Sequence, residues 1–228
     1  MKKLAIITAR GGSKRIPRKN IKNFLGKPII AYSIEAALQS ELFDEVMVST
    51  DDDEIADIAM QYGAKVPFIR SHKNADDYST TTDVIIEVLN SYRSLDLEFE
   101  YACCIYPTAP FVSSKLLKET YSTFQKGTFD SLFPVVRFAY PIQRSLAEKN
   151  GKVEMVWKEH LKSRSQDLEA RFHDAGQFYW FNTKTIYAKK ALFTDNSGFF
   201  EVDELIVQDI DNETDWQLAE LKYKLLNA

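Results

Sequence analysis

Leu4-Ala-Ile-Ile-Thr-Ala9 runs directly into Arg10-Gly-Gly-Ser-Lys-Arg-Ile-Pro-Arg-Lys-Asn20. The first stretch has the unbroken apolar pattern of a buried strand. The second is a glycine-containing turn studded with cations. At the end of a first strand, such a turn is where α/β proteins hold phosphates, because backbone amides and positive charge converge there. The first 34 residues carry nine Lys and Arg and no acid, whereas the rest of the chain carries 20 basic and 33 acidic residues. A positive concentration on a chain of net charge −4 marks a local anion site and argues against nucleic acid as a partner.

Outward from that stretch, short apolar strands alternate with helices. Gly26-Lys-Pro28 leads into a helix through about Gln39, with Pro28 near its first turn. Glu45–Thr50 reads as a second strand, and Asp51-Asp-Asp53 opens a helix that Gly63 ends. Val66–Ile69 reads as a short strand, and a polar loop from His72 to Thr82 precedes a helix from about Asp83 to Tyr92. Tyr101–Tyr106 is a central strand that turns out through Pro107-Thr-Ala-Pro110, Ser113 or Ser114 caps the next helix, and Asp130–Val136 is a further strand. Phe178–Phe181 and Leu205–Asp211 read as later strands, each followed by a helix. The pattern predicts an α/β fold with a mainly parallel, twisted sheet flanked by helices and joined by right-handed crossovers. Ligands of such sheets sit outside the carboxyl ends of the strands. That rule puts the basic loop, the Thr50-Asp51 turn and the Pro107–Pro110 turn on one rim.

The alternation breaks between residues 137 and 177, which are polar, charged and aromatic with weak hairpin character around Lys152–Trp157. We read this stretch as an inserted lid or dimerisation arm within one domain spanning 1–228. A chain of 228 residues with 45% hydrophobic residues is ample for one core. The two cysteines, Cys103 and Cys104, are neighbours that do not readily bridge, so a reducing, cytoplasmic setting is expected. No apolar run approaches the roughly 20 residues of a membrane helix.

The basic loop has neither G-x-x-x-x-G-K-[ST] nor G-x-G-x-x-G spacing, which argues against a P-loop enzyme and a dinucleotide oxidoreductase. It reads as a different phosphate cradle, with Gly11 and Gly12 letting amides approach an anion and Arg10, Lys14 and Lys19 neutralising a triphosphate. A merely solvated loop is the weaker reading, because six cations from Arg10 to Lys22 without one acid would repel each other. In Asp209-Ile-Asp211, two carboxylates at i and i+2 on a strand would share a face, which suits Mg²⁺. The bland alternative is helix capping, but Asn212 or Thr214 is placed to do that. Asp51-Asp-Asp-Glu54 reads as capping and dipole residues. His72, His160 and His173 have no metal-ligand spacing, and no G-x-S-x-G elbow is present. Phe199-Phe200, after Asn196-Ser-Gly198, reads as a loop tip whose aromatics touch a ligand or a partner subunit.

Ala9–Asn20, Leu25-Gly-Lys-Pro28, Val48-Ser-Thr-Asp51, Tyr106-Pro-Thr-Ala-Pro110 and Asp209-Ile-Asp211 together resemble the acylneuraminate cytidylyltransferase family, over nearly the whole chain. Phe138–Arg144 and His173–Trp180 resemble its pseudaminic acid branch. The resemblance implies a Rossmann-like, GT-A-related nucleotidyltransferase that needs CTP and Mg²⁺, acts on a nine-carbon sugar acid for surface glycan or flagellin glycosylation, and forms a homodimer. It implies that Arg10, Gly11, Gly12, Ser13 and Lys14 form the phosphate loop, with Lys19 near the α-phosphate and Asn20 at the cytosine ribose. Thr81 falls near a nucleotide-binding serine position. Asp209 and Asp211 match the metal pair, and Asp211 is expected to help take the sugar hydroxyl proton. Phe199 and Phe200 match a pair lent to a neighbour's sugar site. Tyr106 stands where sialic acid enzymes carry a glutamine facing the sugar, and His173–Gly176 replaces their Arg-Pro-Asn-Gly. Tyr106, His173 and Gln177 are therefore sugar-pocket candidates, and Arg144, Arg164 and Arg171 are candidates for the sugar carboxylate. The departures favour a differently substituted nine-carbon acid over sialic acid; the branch resemblance implies pseudaminic acid, with sialic, legionaminic and Kdo sugars as the alternatives. A non-catalytic nucleotide sensor is the rival class, and it would have little use for the Asp pair.

Overall fold

The structure, a computed structural model, describes residues 1–76 and 78–227. Asp77, inside the expected polar loop, and Ala228 lie outside the described residues. Strands β1 (Lys3–Thr8), β2 (Asn23–Phe24) and β3 (Lys27–Pro28) precede helix α1 (Ile29–Ser40). Strand β4 (Glu45–Ser49) leads to α2 (Asp53–Gln61) and α3 (Thr81–Arg93). Strand β5 (Tyr101–Ile105), α4 (Ser114–Lys126) and β6 (Ser131–Arg137) continue the alternation. Then come β7 (Leu146–Lys149), β8 (Lys152–Met155), β9 (Phe172–Asp174), β10 (Phe178–Asn182), α5 (Thr183–Lys189), β11 (Ser197–Glu201) and α6 (Glu213–Leu226).

The main sheet runs β11-β6-β10-β5-β1-β4, and β9 pairs with β6. Pairs β1–β4, β1–β5 and β6–β11 are parallel, and β10 is antiparallel between β5 and β6. Leu4, Ala5, Ile6 and Ile7 are all fully buried. Helices cover both faces of this central strand, so it needs apolar residues at successive positions rather than in alternation. Ala5 and Ile7 pack towards α1, α2 and α4, while Leu4 and Ile6 pack towards α3 and α5. A third cluster joins Phe24, Tyr32 and Trp216, with Tyr223 at its edge. Phe24 meets Tyr32 and Trp216 edge-on at 5.5 Å and Tyr223 at 5.7 Å. Each such pair contributes about 0.5–1.5 kcal/mol beyond its buried area. Together these contacts fasten α6, and the segment before it, beside the basic loop.

Three expectations are corrected. Val66–Ile69 is not a strand: only Lys65 bridges to Met47, and Pro67 lacks the N–H needed to extend the ladder. Leu205–Asp211 is not a strand either. It begins in a single 3₁₀ turn, Glu204–Ile206, and continues extended but unpaired. The edge strand is instead β11, parallel to β6, so Phe199 and Phe200 sit in the sheet and not at a loop tip. Gly198 is required there, because a Cβ would lie 2.5 Å from the Phe129 ring. The excursion after Arg137 includes the β7–β8 hairpin and returns through β9.

Candidate active site

The basic loop leaves β1 at the carboxyl ends of the parallel strands and is tied back by acids from the neighbouring turn. Gly11 donates its N–H to Asp51 Oδ1 at 2.9 Å. Arg18 forks onto Asp52 at 2.5 and 2.8 Å and reaches Glu54 at 2.5 Å. Asp52 also caps α2 by accepting from the Ile55 N–H at 3.0 Å. Capping is thus half the work of the acid cluster, and anchoring the cationic loop is the other half. Gly11 is needed for packing: a Cβ there would sit 2.8 Å from Asp52 Oδ2. Its amide serves the carboxylate of Asp51.

The Arg18 hydrogen bonds, ahead of other causes, hold the Asp52 carboxyl below its ordinary value of 3.8. The stabilisation is complete above about pH 5, where an unfolded aspartate is ionised. It is lost as the pH falls through the lowered folded value. Asp52→Asn should therefore flatten the acid side of the melting-temperature profile below about pH 5. An acid limb as steep as the wild type's would remove Asp52 from the anchorage.

Arg10, Ser13, Lys14, Arg15, Lys19 and Asn20 line a cleft of about 660 Å³ with Tyr106, Pro107 and Thr108. Arg10 donates to the Asp76 carbonyl at 2.8 Å, and buried Asn20 donates to the Arg10 carbonyl at 2.8 Å. An adjoining pocket of about 230 Å³ shares Thr8 and Arg10 and adds Arg70, Asn74, Ser79 and Thr81. Thr81 opens α3, whose N-terminus is closed by the Thr80–Asp83 capping box. Arg70 is buried and donates to Ser49 Oγ at 3.0 Å and to the Ser49 carbonyl. Burial lowers the pKa of its guanidinium.

On the opposite wall, Lys19 Nζ donates to the Ile210 carbonyl at 2.6 Å and lies 4.0 Å from Asp211. Burial lowers the Lys19 pKa, opposed by Asp211 and Asp209. Arg15 pairs with Asp211 at 2.6 Å. Asp209 has an open surface, yet desolvation, and then the Asp211 charge, push its carboxyl up. Two carboxylates two residues apart supply hard oxygen donors of the kind a divalent cation takes. Asn212 and Asp215 form the capping box of α6, which frees the two aspartates from that duty. Among the described residues no group of three His, Cys, Asp or Glu gathers as a metal cluster.

At the carboxyl ends of a mostly parallel sheet, Arg15 and Lys19 of a cationic cleft thus meet Asp211. The cytidylyltransferase family profile matches residues 4–222. The chain belongs to the cytidylyltransferase family. It is 45% identical to the pseudaminic acid cytidylyltransferase of Campylobacter jejuni over 99% of this chain and 97% of that one. It is 34% identical to the CMP-N,N'-diacetyllegionaminic acid synthase of Legionella pneumophila, over 96% and 95% of the two chains. In fold it matches CMP:2-keto-3-deoxy-manno-octonic acid synthetase complexed with CTP, at TM-score 0.70 and 17% identity, covering 100% of this chain and 99% of that one.

In this cytidylyltransferase the expected nucleotide residues converge, but the expected sugar residues do not. Tyr106 lines the main cleft. Gln177 is buried beneath it, donating to the Ile206 carbonyl at 2.5 Å, with an Oε1 that has no partner among the described residues. Arg144 is exposed, 3.4 Å from Ser165. His173 is exposed beside Phe138. Arg164 pairs with Asp167, and Arg171 pairs with Glu169 beside a separate cavity of about 680 Å³. Phe199 is 55% exposed and packs on Phe172, whereas Phe200 packs against the core. The sequence reading missed Arg15, Arg70, Asp51 and Asp52. The acids were visible in a row, but their partners are Gly11 and Arg18 of the loop, which only the fold brings near.

Proposed function

We propose that this cytidylyltransferase joins CTP and pseudaminic acid to give CMP-pseudaminic acid and diphosphate. The observation that carries the reading is 45% identity to the Campylobacter jejuni pseudaminic acid enzyme across 99% of this chain. The triphosphate lies in the cationic cleft against Arg10, Ser13 and Lys14, and the base enters the small pocket beside Arg70 and Thr81. The sugar's anomeric hydroxyl attacks the α-phosphorus in line, the bond to the β-phosphate breaks, and Asp211 assists departure of the hydroxyl proton. Lys19 meets the charge that builds on the α-phosphate. Asp209 and Asp211 would hold Mg²⁺, which when bound neutralises charge on the triphosphate and the leaving diphosphate. No covalent intermediate is required, so positioning and preorganised charge supply the acceleration.

On this reading the chain acts as one nucleotidyltransferase domain, homodimeric and cytoplasmic, with residues 137–177 as a lid or dimerisation arm. No helix among the described residues is long and apolar enough to cross a membrane. Incubation with CTP, Mg²⁺ and a panel of nonulosonic acids, read by product mass, tests the assignment. The expected result is diphosphate release that needs the sugar acid and is fastest with pseudaminic acid. Faster turnover of legionaminic or sialic acid would overturn the sugar assignment. CTP binding without any transfer would indicate the sensor reading.

A further inference from the structure

One carboxylate oxygen, Asp211 Oδ1, carries two cations. Arg15 Nη2 pairs with it at 2.6 Å, and Lys19 Nζ lies 4.0 Å from the same atom. The two cations are held differently. Lys19 is 21% exposed and is anchored by its 2.6 Å bond to the Ile210 carbonyl. The Arg15 side chain is 68% exposed, and among the described residues Asp211 is its only ion-pair partner.

The backbone beneath the pair is fixed. Ile16, next to Arg15, and Ile210, next to Asp211, are both buried in the apolar cluster of Phe24 and Trp216. Packing thus sets Arg15 against Asp211, while the guanidinium itself stays at the surface on a flexible stem. Arg15 also lines the cationic cleft with Arg10, Ser13, Lys14 and Lys19. One side chain therefore borders both the Asp211 carboxylate and the space proposed for the triphosphate. A planar guanidinium matches the oxygens of a carboxylate and of a phosphate alike.

A divalent cation and Arg15 compete for Asp211. A guanidinium 2.6 Å from the carboxylate oxygen cancels the charge that the ion needs, and it repels the ion as well. Phosphates pull Arg15 the other way, because charge-assisted, forked bonds to their oxygens replace the one it gives up.

We infer that Arg15 holds the metal-binding carboxylate in the protein without nucleotide, and yields it to a divalent cation when a triphosphate enters the cleft and takes the guanidinium. The exchange makes each ligand favour the binding of the other. This inference deepens the reading above and rests on its assignment of Asp209 and Asp211 to a metal.

The test uses the full chain as wild type, Arg15→Met, Lys14→Met and Asp211→Asn, at low ionic strength, where surface charges are least screened. Mn²⁺ binding without nucleotide is read by electron paramagnetic resonance, and CTP binding in EDTA by calorimetry. Arg15→Met should bind Mn²⁺ about 2- to 5-fold more tightly than the wild type, the size of one exposed ion pair removed. It should bind metal-free CTP about 10-fold less tightly, the size of one lost bond to a charged group. Lys14→Met removes the same charge from the same cleft. It should weaken CTP binding but change Mn²⁺ affinity less than Arg15→Met does. Unchanged or weaker Mn²⁺ binding in Arg15→Met, or a gain no larger than that of Lys14→Met, would overturn the exchange. Full CTP affinity in Arg15→Met would overturn it too. NMR of the arginine Nε–H groups reads the ion pair without metal. The Arg15 signal should move in Asp211→Asn, and it should move in the wild type when CTP is added in EDTA. A signal that stays in place in either case would count against the inference in the same way. A wild type that takes up no Mn²⁺, with or without CTP, would sink the metal assignment instead.

Discussion

Lys19→Ala should lower kcat by about 10²–10³-fold, the cost of removing one preorganised donor from a charge-developing site, while the fold persists. In the free protein Lys19 makes a 2.6 Å bond to the Ile210 carbonyl and stands 4.0 Å from Asp211. Losing one such bond costs about 1 kcal/mol, which for a chain of this size lowers Tm by about 2–4 °C. The stability effect is thus small and the kinetic effect large. Single-turnover rates beside a melting curve separate the two. Wild-type turnover in the variant would remove Lys19 from the mechanism.

Asp209→Ala and Asp211→Ala should each abolish divalent-dependent turnover. Mn²⁺ binding should weaken by more than the ~10–100-fold typical of losing an outer-shell partner. Neither change threatens the fold. The Arg15–Asp211 pair joins side chains 68% and 40% exposed, and such pairs contribute about 0–1 kcal/mol. Mg²⁺ titrations of rate, with Mn²⁺ binding followed in parallel, provide the check. Full activity in both variants would remove the metal assignment.

The first strand, its cationic turn and the strand–helix alternation were legible because each is local: a continuous apolar run, a glycine turn, a capping residue. The errors came where long-range partners replaced a local rule. Leu205–Asp211 has strand-like alternation and buries Val207 and Ile210. Its carbonyls, however, are taken by side chains and not by a neighbouring strand. Gln177 serves Ile206, Lys222 serves Val207 and Lys19 serves Ile210. Conversely, Ser197–Glu201 has no strong strand signal, yet it pairs with β6 along five positions from Ser197–Ser131 to Glu201–Val135. The residues that line the main cleft were readable because most of them are contiguous from Arg10 to Asn20.

Lys19 reaches across 191 positions to the carbonyl of Ile210. During synthesis, a growing polypeptide carries its cationic loop long before residues 209–211 exist. A nascent chain therefore exposes a lone basic hook, attractive to any anion in its surroundings, and the matching wall arrives only when Trp216 and Tyr223 settle onto Phe24. Such late, long-range closure is slow to form. It makes competence for chemistry one of the last properties the newborn protein acquires.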